Sequence, residues 1–438
     1  MKFNKLVKNL LIPLSIFALS ACGGSATNSI EEAGKSGGDA DTGMEEGGSG
    51  GGWFSGDEPM PGDYDVPSGG GESASTGEPG EGEDPVDSND YTIQAGQLTC
   101  SALNDNEHYG YWKSLSESNQ EGKGIYQDFK DEYDFNTFNR LALKITNGRD
   151  VRVSLKDDSF TCRVDNFNNA YLFPEEDKEN YDITISYIDK EGNRQNIEKN
   201  VTNNEEIDLE NESVKSEIIQ LMFVIDTTGS MSDEIRYIKE EVKDIIASIK
   251  EDNPNSTIQL AMMVYRDIGD KYVTKYNDFT TDIEKQQSFI NDQYASGGGD
   301  FPEAVHIALG EAVDKNWSDS DATKIIIHIA DAPSHDDDVD DWNVAVKKAS
   351  EKGIKIITVA SSGIDRMTEY CFRSQSILTN GQYVYLTNHS GIGGEHLEAI
   401  REDEAVIEYL NACLVRLVNE YYSGQLIEPV SYFSQNQK

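Results

Sequence analysis

Asp226, Thr228 and Ser230 stand in the run Leu221-Met222-Phe223-Val224-Ile225-Asp226-Thr227-Thr228-Gly229-Ser230. An unbroken apolar segment ends abruptly on an aspartate, and two hydroxyl side chains follow at alternate positions. A carboxylate and two hydroxyls on one tight loop are hard oxygen donors. They suit Mg²⁺, Mn²⁺ or Ca²⁺ and suit soft metals poorly. A second apolar run, Lys324-Ile325-Ile326-Ile327-His328-Ile329-Ala330-Asp331, also ends on an aspartate. Between the two, Ser296-Gly297-Gly298-Gly299-Asp300 delivers a third carboxylate, and Pro302 opens the next helix. The expected ligand set is Asp226, Thr228, Ser230, Asp300 and Asp331, with no Cys or His among them. An Asp-x-Thr-x-Ser string by itself also serves as a helix N-cap, through Ser230 or Ser232. Three carboxylate loops after successive strands point to a metal instead.

Those loops need strands and helices to hold them. A continuous apolar run reads as a fully buried strand. Asp226 therefore belongs at the carboxyl end of a central strand, where open α/β sheets bind their ligands. Beyond it, Ile235, Ile238, Val242, Ile245, Ile246 and Ile249 recur at helical spacing. The pattern then predicts a strand at 257–265, a short strand near 272–276 and helices at 283–293 and 302–313. A strand at 324–330, a helix at 341–351, a strand at 354–360 and a last strand near 382–386 follow. A helix at 403–422 closes the region, with Val406, Leu410, Cys413, Leu414, Leu417 and Tyr421 on one face. Such alternation implies a mainly parallel sheet with helices on both faces. The loop Ser390-Gly391-Ile392-Gly393-Gly394 lacks a following Lys-Ser or Lys-Thr, so it is not a phosphate-cradling loop.

The three loops together resemble the metal-ion-dependent adhesion site of von Willebrand factor type A domains. The stretches Val264-Tyr265-Arg266-Asp267, Phe279-Thr280, Trp317 and Ala330-Asp331-Ala332-Pro333-Ser334-His335 resemble a subgroup that includes bacterial proteins and domains attached to alpha-kinases. The resemblance spans residues 215–424 and implies a Rossmann-like, doubly wound α/β fold. The family pattern is Asp-x-Ser-x-Ser, a threonine on the second loop and an aspartate on the third. This chain has Thr228 for the first serine and Asp300 where many members have threonine. The resemblance implies Thr228 and Ser230 as direct ligands, and Asp226 and Asp331 as direct or water-bridged ones. Asp300 would be a direct ligand or would orient a water. It further implies a coordination position open to a partner's Asp or Glu, and so a module that binds another protein. A hydrolase using the ion to activate water is the alternative, but no His-Glu-x-x-His is present. His335, beside the acidic loop Asp336-Asp337-Asp338-Val339-Asp340-Asp341, reads as solvent-facing. An ion that only braces the loops is a further alternative. The expectation is a binding protein, not an enzyme.

The rest of the chain suggests where such a module works. Lys2, Lys5 and Lys8 precede the apolar stretch Leu10 to Leu19, which has signal-peptide length and is too short for a span. Leu19-Ser20-Ala21-Cys22 resembles a bacterial lipobox, which implies cleavage after residue 21 and a lipid on Cys22. Residues 22–90 are rich in Gly, Ser, Asp, Glu and Pro, so they read as a disordered tether. Its r.m.s. reach is on the order of 45 Å. Residues 91–210 alternate in short runs such as Leu141 to Thr146, Val151 to Leu155 and Asp182 to Ile188, with a turn at Asn147-Gly148. They predict a β-sandwich-like domain, with a loose resemblance to transthyretin-like sandwiches over Leu141 to Phe173. Residues 98–136, rich in Tyr and Asn, fit no element. A tail, 425–438, follows the second domain.

Lys and Arg total 37 against 80 Asp and Glu, a net charge of −43. That balance excludes DNA or RNA as a partner, because phosphate binding needs clustered cations. It leaves the lipid as the membrane attachment and the cell envelope, outside the cytoplasm, as the expected location. The other cysteines are Cys100 and Cys162 in one region and Cys371 and Cys413 in the next, which allows a disulfide in each. For Cys413, on an apolar helix face, a buried free thiol is equally open.

Overall fold

The structure is a computed structural model that describes residues 93–117, 124–212, 216–319 and 321–435. The expected signal segment, Cys22 and the tether through residue 90 lie outside the described residues. The chain begins with β1 (Thr99–Leu103), α1 (Tyr109–Ser114) and α2 (Gln127–Glu132). Seven strands follow: β2 (Leu141–Thr146), β3 (Arg152–Leu155), β4 (Thr161–Arg163), β5 (Asn169–Leu172), β6 (Tyr181–Ile188), β7 (Arg194–Val201) and β8 (Glu205–Asp208). They form a three-stranded sheet, β5-β2-β8, and a four-stranded sheet, β4-β3-β6-β7. Inward residues alternate along β3 and β6, so Val153, Leu155, Ile183 and Ile185 share one core with Leu141, Leu143 and Ile145.

The second half alternates as expected. It runs β9 (Ile218–Asp226), α3 (Ile235–Asp252), β10 (Thr257–Tyr265), β11 (Thr274–Thr280), α4 (Ile283–Asn291) and α5 (Val305–Val313). Then come β12 (Thr323–Ala330), α6 (Val339–Lys352), β13 (Ile354–Ala360), α7 (Arg366–Leu378), β14 (Tyr383–Leu386), β15 (Glu408–Tyr409), α8 (Leu410–Ser423) and α9 (Tyr432–Gln435). The strand order is β11-β10-β9-β12-β13-β14-β1-β15. From β10 to β14 every pairing is parallel, while β11, β1 and β15 add antiparallel edges. The order reverses beside β9, which makes a topological switch point between the ends of β9 and β12. Helices cover both faces. On one, α3 and α8 bury Ile235, Ile238, Val242, Leu414 and Leu417 against Leu221, Phe223 and Ile327. Each such side chain contributes about 1.5–3 kcal/mol of burial.

Three expectations are corrected. Residues 99–103 do not join the sandwich; β1 pairs with β14 and β15 in the large sheet, so a segment expected in one domain completes the other. The last long helix starts at Leu410, not at 403: Glu408 and Tyr409 pair with β1, and Val406 is 39% exposed. All four described cysteines are free and buried. The pairs expected within each region do not form, because β1 carries Cys100 away from Cys162 to the side of Cys413.

The sequence reading also lacked α7. Asp365 caps it by accepting the Thr368 N–H at 2.7 Å, and every residue from Thr368 to Leu378 is buried. The aromatic segment before β2 covers it. Trp112 stacks on Phe138 and on Tyr370, with centroids 5.4 Å and 6.1 Å apart. Asn106 Nδ2 donates to the Ile377 carbonyl at 2.9 Å. At the other end of the sheet the sandwich holds α8. Gly424 ends that helix at φ +66, and a Cβ there would lie 2.1 Å from the Asn166 carbonyl oxygen. Asn166 Nδ2 donates to the Tyr421 carbonyl at 2.8 Å.

Candidate metal-binding site

Asp226 is the last residue of β9 and has no exposed surface. Its Oδ1 accepts the Thr228 backbone N–H and the Thr228 hydroxyl, each at 2.8 Å. Thr228 Oγ1 lies 3.2 Å from Ser230 Oγ. Gly229–Asp233 form a short 3-10 turn into α3, and neither Ser230 nor Ser232 caps that helix. The Ser230 hydroxyl instead bonds Asp331, which is buried at the end of β12. The first and third loops are thereby brought together, and they deliver Asp226, Thr228, Ser230 and Asp331 to one place.

The glycine loop docks on the first. The Gly229 N–H donates to the Gly297 carbonyl at 3.1 Å, and the Ser296 N–H donates to the Thr227 carbonyl at 3.0 Å. Gly298 has φ +71, and a Cβ there would lie 2.7 Å from Glu303 Oε1 and 3.4 Å from Thr228 Cβ. Only glycine permits that approach. Asp300, expected at the site, is exposed on the rim and adds its charge to the surroundings of His335. The second loop's buried carboxylate is Glu303, 2% exposed, whose N–H donates to the Pro333 carbonyl at 2.9 Å. Sequence reasoning missed Glu303. Its one signal is an acidic residue set directly before the apolar helix start Ala304-Val305.

Among the described residues, three buried carboxylate oxygens have no hydrogen-bond partner: Asp226 Oδ2, Glu303 Oε2 and Asp331 Oδ1. Burial, then the Asp331 charge, pushes the Asp226 pKa up to about 8, against the pull of the Thr228 hydrogen bonds. Burial, then Asp226, Asp267, Asp331 and Asp270, pushes Glu303 up to about 9. Burial raises Asp331 to about 6, against the Ser230 hydrogen bond and with the charges of Glu234 and Asp233. This is a pocket crowded with carboxyls and short of hydrogen-bond donors. Among the described residues, no three His, Cys, Asp or Glu side chains close around one point. A cation here would need the hydroxyls of Thr228 and Ser230 and water oxygens as well, and that hard-oxygen donor set fits Mg²⁺ or Mn²⁺.

His335 is half-buried, not solvent-facing. Its Nε2 lies 2.8 Å from Asp267 Oδ1. Burial works against its charge, but the Asp267 hydrogen bond and the charges of Asp267, Asp300 and Asp338 outweigh that and raise its pKa. The rim is thus acidic, with the His335 ring held against it. No helix among the described residues is long and apolar enough to cross a membrane.

Residues 220–398 match the family model described as von Willebrand factor A domain. The alpha-protein kinase vwkA of Dictyostelium discoideum is 26% identical over 184 residues, 41% of this chain and 29% of that protein. A putative ariadne-like RING finger protein, R811, of Acanthamoeba polyphaga mimivirus is 33% identical over 118 residues, 27% of this chain and 11% of that protein. The matches therefore span less than a third of either relative. Among solved structures, the conserved hypothetical protein BatB from Bacteroides thetaiotaomicron aligns at TM-score 0.30 and 17% identity, over 38% of this chain and 89% of that one. The pilus adhesin SpaC from Lactobacillus rhamnosus GG aligns at TM-score 0.30 and 14% identity, over 46% of this chain and 30% of that one. The matched segment and the mainly parallel sheet around the switch point together place a von Willebrand factor A domain at residues 220–398.

Proposed function

We propose that the protein is a lipid-anchored envelope protein whose von Willebrand factor A domain binds a protein partner through a hard divalent cation. The observation that carries the metal is the trio of orphaned buried oxygens on Asp226, Glu303 and Asp331. Buried acceptors are almost always satisfied, so three in one pocket call for a ligand. Asp226, Thr228, Ser230 and Asp331 are the residues that would hold the ion, with Glu303 beside them. When bound, the ion would neutralise the pocket and offer a positive centre to an oxygen of the partner. The chain's own groups do the rest. Thr228 and Asp226 lock each other, the glycine loop fixes both, and Ser230 ties the loop of Asp331 to the loop of Asp226.

In this reading the site holds a partner and does not turn over a substrate, in keeping with the lack of a His-Glu-x-x-His. The lipid on Cys22 and the acidic tether would keep the domain outside the cell membrane and away from nucleic acid, in keeping with the net charge of −43. A second reading follows from the interlocked loops, Gly229 to Gly297 and Glu303 to Pro333: the ion braces the loops and a different surface binds. A pull-down from envelope extract decides between them. Chelator-sensitive capture of the same partner by wild type, lost in Asp226→Ala, supports metal-mediated binding. Capture that survives both treatments contradicts it. Cys22→Ser should release the chain from the membrane fraction; a variant that is still processed and membrane-bound contradicts the anchor.

A further inference from the structure

Behind Asp226, away from solvent, four fully buried polar side chains cross the core: Trp342, Gln375, His328 and Tyr265. Each sets the polarity of the next. Trp342 offers only a donor, and Nε1–H bonds Gln375 Oε1 at 2.9 Å. That orients the amide. Gln375 Nε2 then donates its two hydrogens, one to Thr358 Oγ1 at 2.7 Å and one to His328 Nδ1 at 2.9 Å. A ring nitrogen that accepts from an amide N–H carries no hydrogen, so the imidazole proton sits on Nε2. Burial pushes the His328 pKa down to about 3, which keeps the ring neutral. Nε2–H therefore donates to Tyr265 Oη, 3.0 Å away. Tyr265 Oη is then an acceptor that still has its own hydrogen to give. Across the β9–β10 pairing, Tyr265 stands beside Asp226, and its hydroxyl acts on that carboxyl, whose Oδ1 is engaged by Thr228 and whose Oδ2 is otherwise without a partner.

We propose that the chain Trp342–Gln375–His328–Tyr265 is a positioning device that commits the Tyr265 hydroxyl to donate to Asp226 and so fixes that carboxylate for the cation. The role rests on the cation reading above. The parts come from four separate elements, β10, β12, α6 and α7, and nothing in core packing requires any of them to be polar. Polarity runs one way along the chain, and reversing any link sets two donors or two acceptors face to face. Outer-shell partners of metal ligands commonly control affinity by 10–100-fold.

The test uses the full chain, with ¹⁵N spectra of the imidazoles and Mg²⁺ calorimetry. The His328 signals, assigned by their loss in His328→Gln, should show hydrogen on Nε2 and none on Nδ1. Tyr265→Phe removes one hydroxyl and should weaken Mg²⁺ binding about tenfold. Gln375→Glu puts an acceptor against Nδ1, so the proton should move to Nδ1. Nε2 then takes the Tyr265 hydrogen away from Asp226. That variant should show the switched tautomer and a similar loss of affinity, with every loop residue untouched. A merely structural role for Gln375 predicts no tautomer switch. If Gln375→Glu does not fold, the wild-type tautomer and Tyr265→Phe still decide. A wild-type His328 protonated on Nδ1, or Mg²⁺ affinity in Tyr265→Phe within about twofold of wild type, overturns the proposal. A wild type that binds no Mg²⁺ overturns the cation reading and this role with it. A wild type that binds, beside a Tyr265→Phe that binds equally well, overturns this role alone.

Discussion

The Glu303 carboxyl lies in the field of the Asp226 carboxyl, and burial together with that neighbour holds Glu303 up to about 9. Asp300, three residues earlier, is exposed. The two acids of the second loop should therefore behave differently. Above about pH 9, where Glu303 loses its proton, Glu303→Gln removes a buried charge that opposes Asp226 and Asp331, so the ion-free chain should melt several degrees higher there. The same change takes a carboxylate from beside the ion and should weaken Mg²⁺ binding about tenfold. Asp300→Asn should alter neither by more than about twofold. Calorimetry and melting curves on the two variants check this; an Asp300→Asn effect larger than that of Glu303→Gln returns Asp300 to the centre of the site.

The ion-free chain should lose stability as pH rises. Asp226 and Glu303 hold their protons up to about 8 and about 9 in the folded chain, far above their ordinary values near 4. The folded state therefore binds more protons across that interval, and the contribution present at low pH is lost as pH climbs through the folded values. With chelator present, the melting temperature should fall between about pH 5 and pH 9. Asp226→Asn combined with Glu303→Gln should flatten that slope. An equal slope in the double variant contradicts the assignment.

Arg373 should be among the least replaceable residues of the core. It is fully buried, with Nη2 at 2.5 Å and Nε at 2.9 Å from Asp105, and Nη1 at 3.0 Å from Glu369. It also donates to Tyr126 Oη at 3.0 Å and to the Ile400 carbonyl at 2.8 Å. Arg373→Ala strands the buried Asp105 carboxylate and leaves Glu369 to Arg366 and the Ile400 N–H, which costs about 3–5 kcal/mol. Denaturant unfolding of the full chain measures it, and a loss under about 1 kcal/mol would show that the trio is not a buried ion network.

Cys100 on β1 and Cys413 on α8 are buried side by side. Burial first, then the hydrogen bond to Cys413, lifts the Cys100 thiol well above its ordinary range. Both thiols should resist alkylation in the native protein. Under mild disulfide-exchange oxidation they should join each other, adding about 2–4 kcal/mol of stability. A non-reducing peptide map should show that bridge. A map with Cys100 joined to Cys162, or Cys371 to Cys413, contradicts the structure.

The sheet was legible in the sequence because its strands are fully buried. Leu221 to Ile225 and Ile325 to Ala330 can only be interior, and the aspartates that end them mark the carboxyl edge. What escaped was everything whose partner is remote. The helix Arg366–Leu378 looks polar because its burial is provided by hydrogen bonds and ion pairs, Arg373 to Asp105 and Tyr370 to the Tyr133 carbonyl, and not by an apolar stripe. The Tyr- and Asn-rich segment that fitted no element is the other half of that interface. Each was unreadable without the other. β1 is too short to announce its sheet, and position alone groups it with its sequence neighbours. On the second loop the motif marks Asp300, which stays exposed on the rim, but carries no mark for Glu303, which the turn through Gly297 and Gly298 buries.

The central claim is that Asp226, Thr228, Ser230 and Asp331 hold one hard divalent cation. Isothermal titration of the chelator-stripped full chain with Mg²⁺ and then Mn²⁺ tests it most directly, with melting curves on the same samples. The account predicts one saturable ion per chain and a higher melting temperature with the ion, because a ligand that binds only the folded state stabilises it. Both should vanish in Asp226→Ala. A wild type that takes up neither ion and melts unchanged would contradict the account, and the orphaned oxygens of Asp226, Glu303 and Asp331 would then need another explanation.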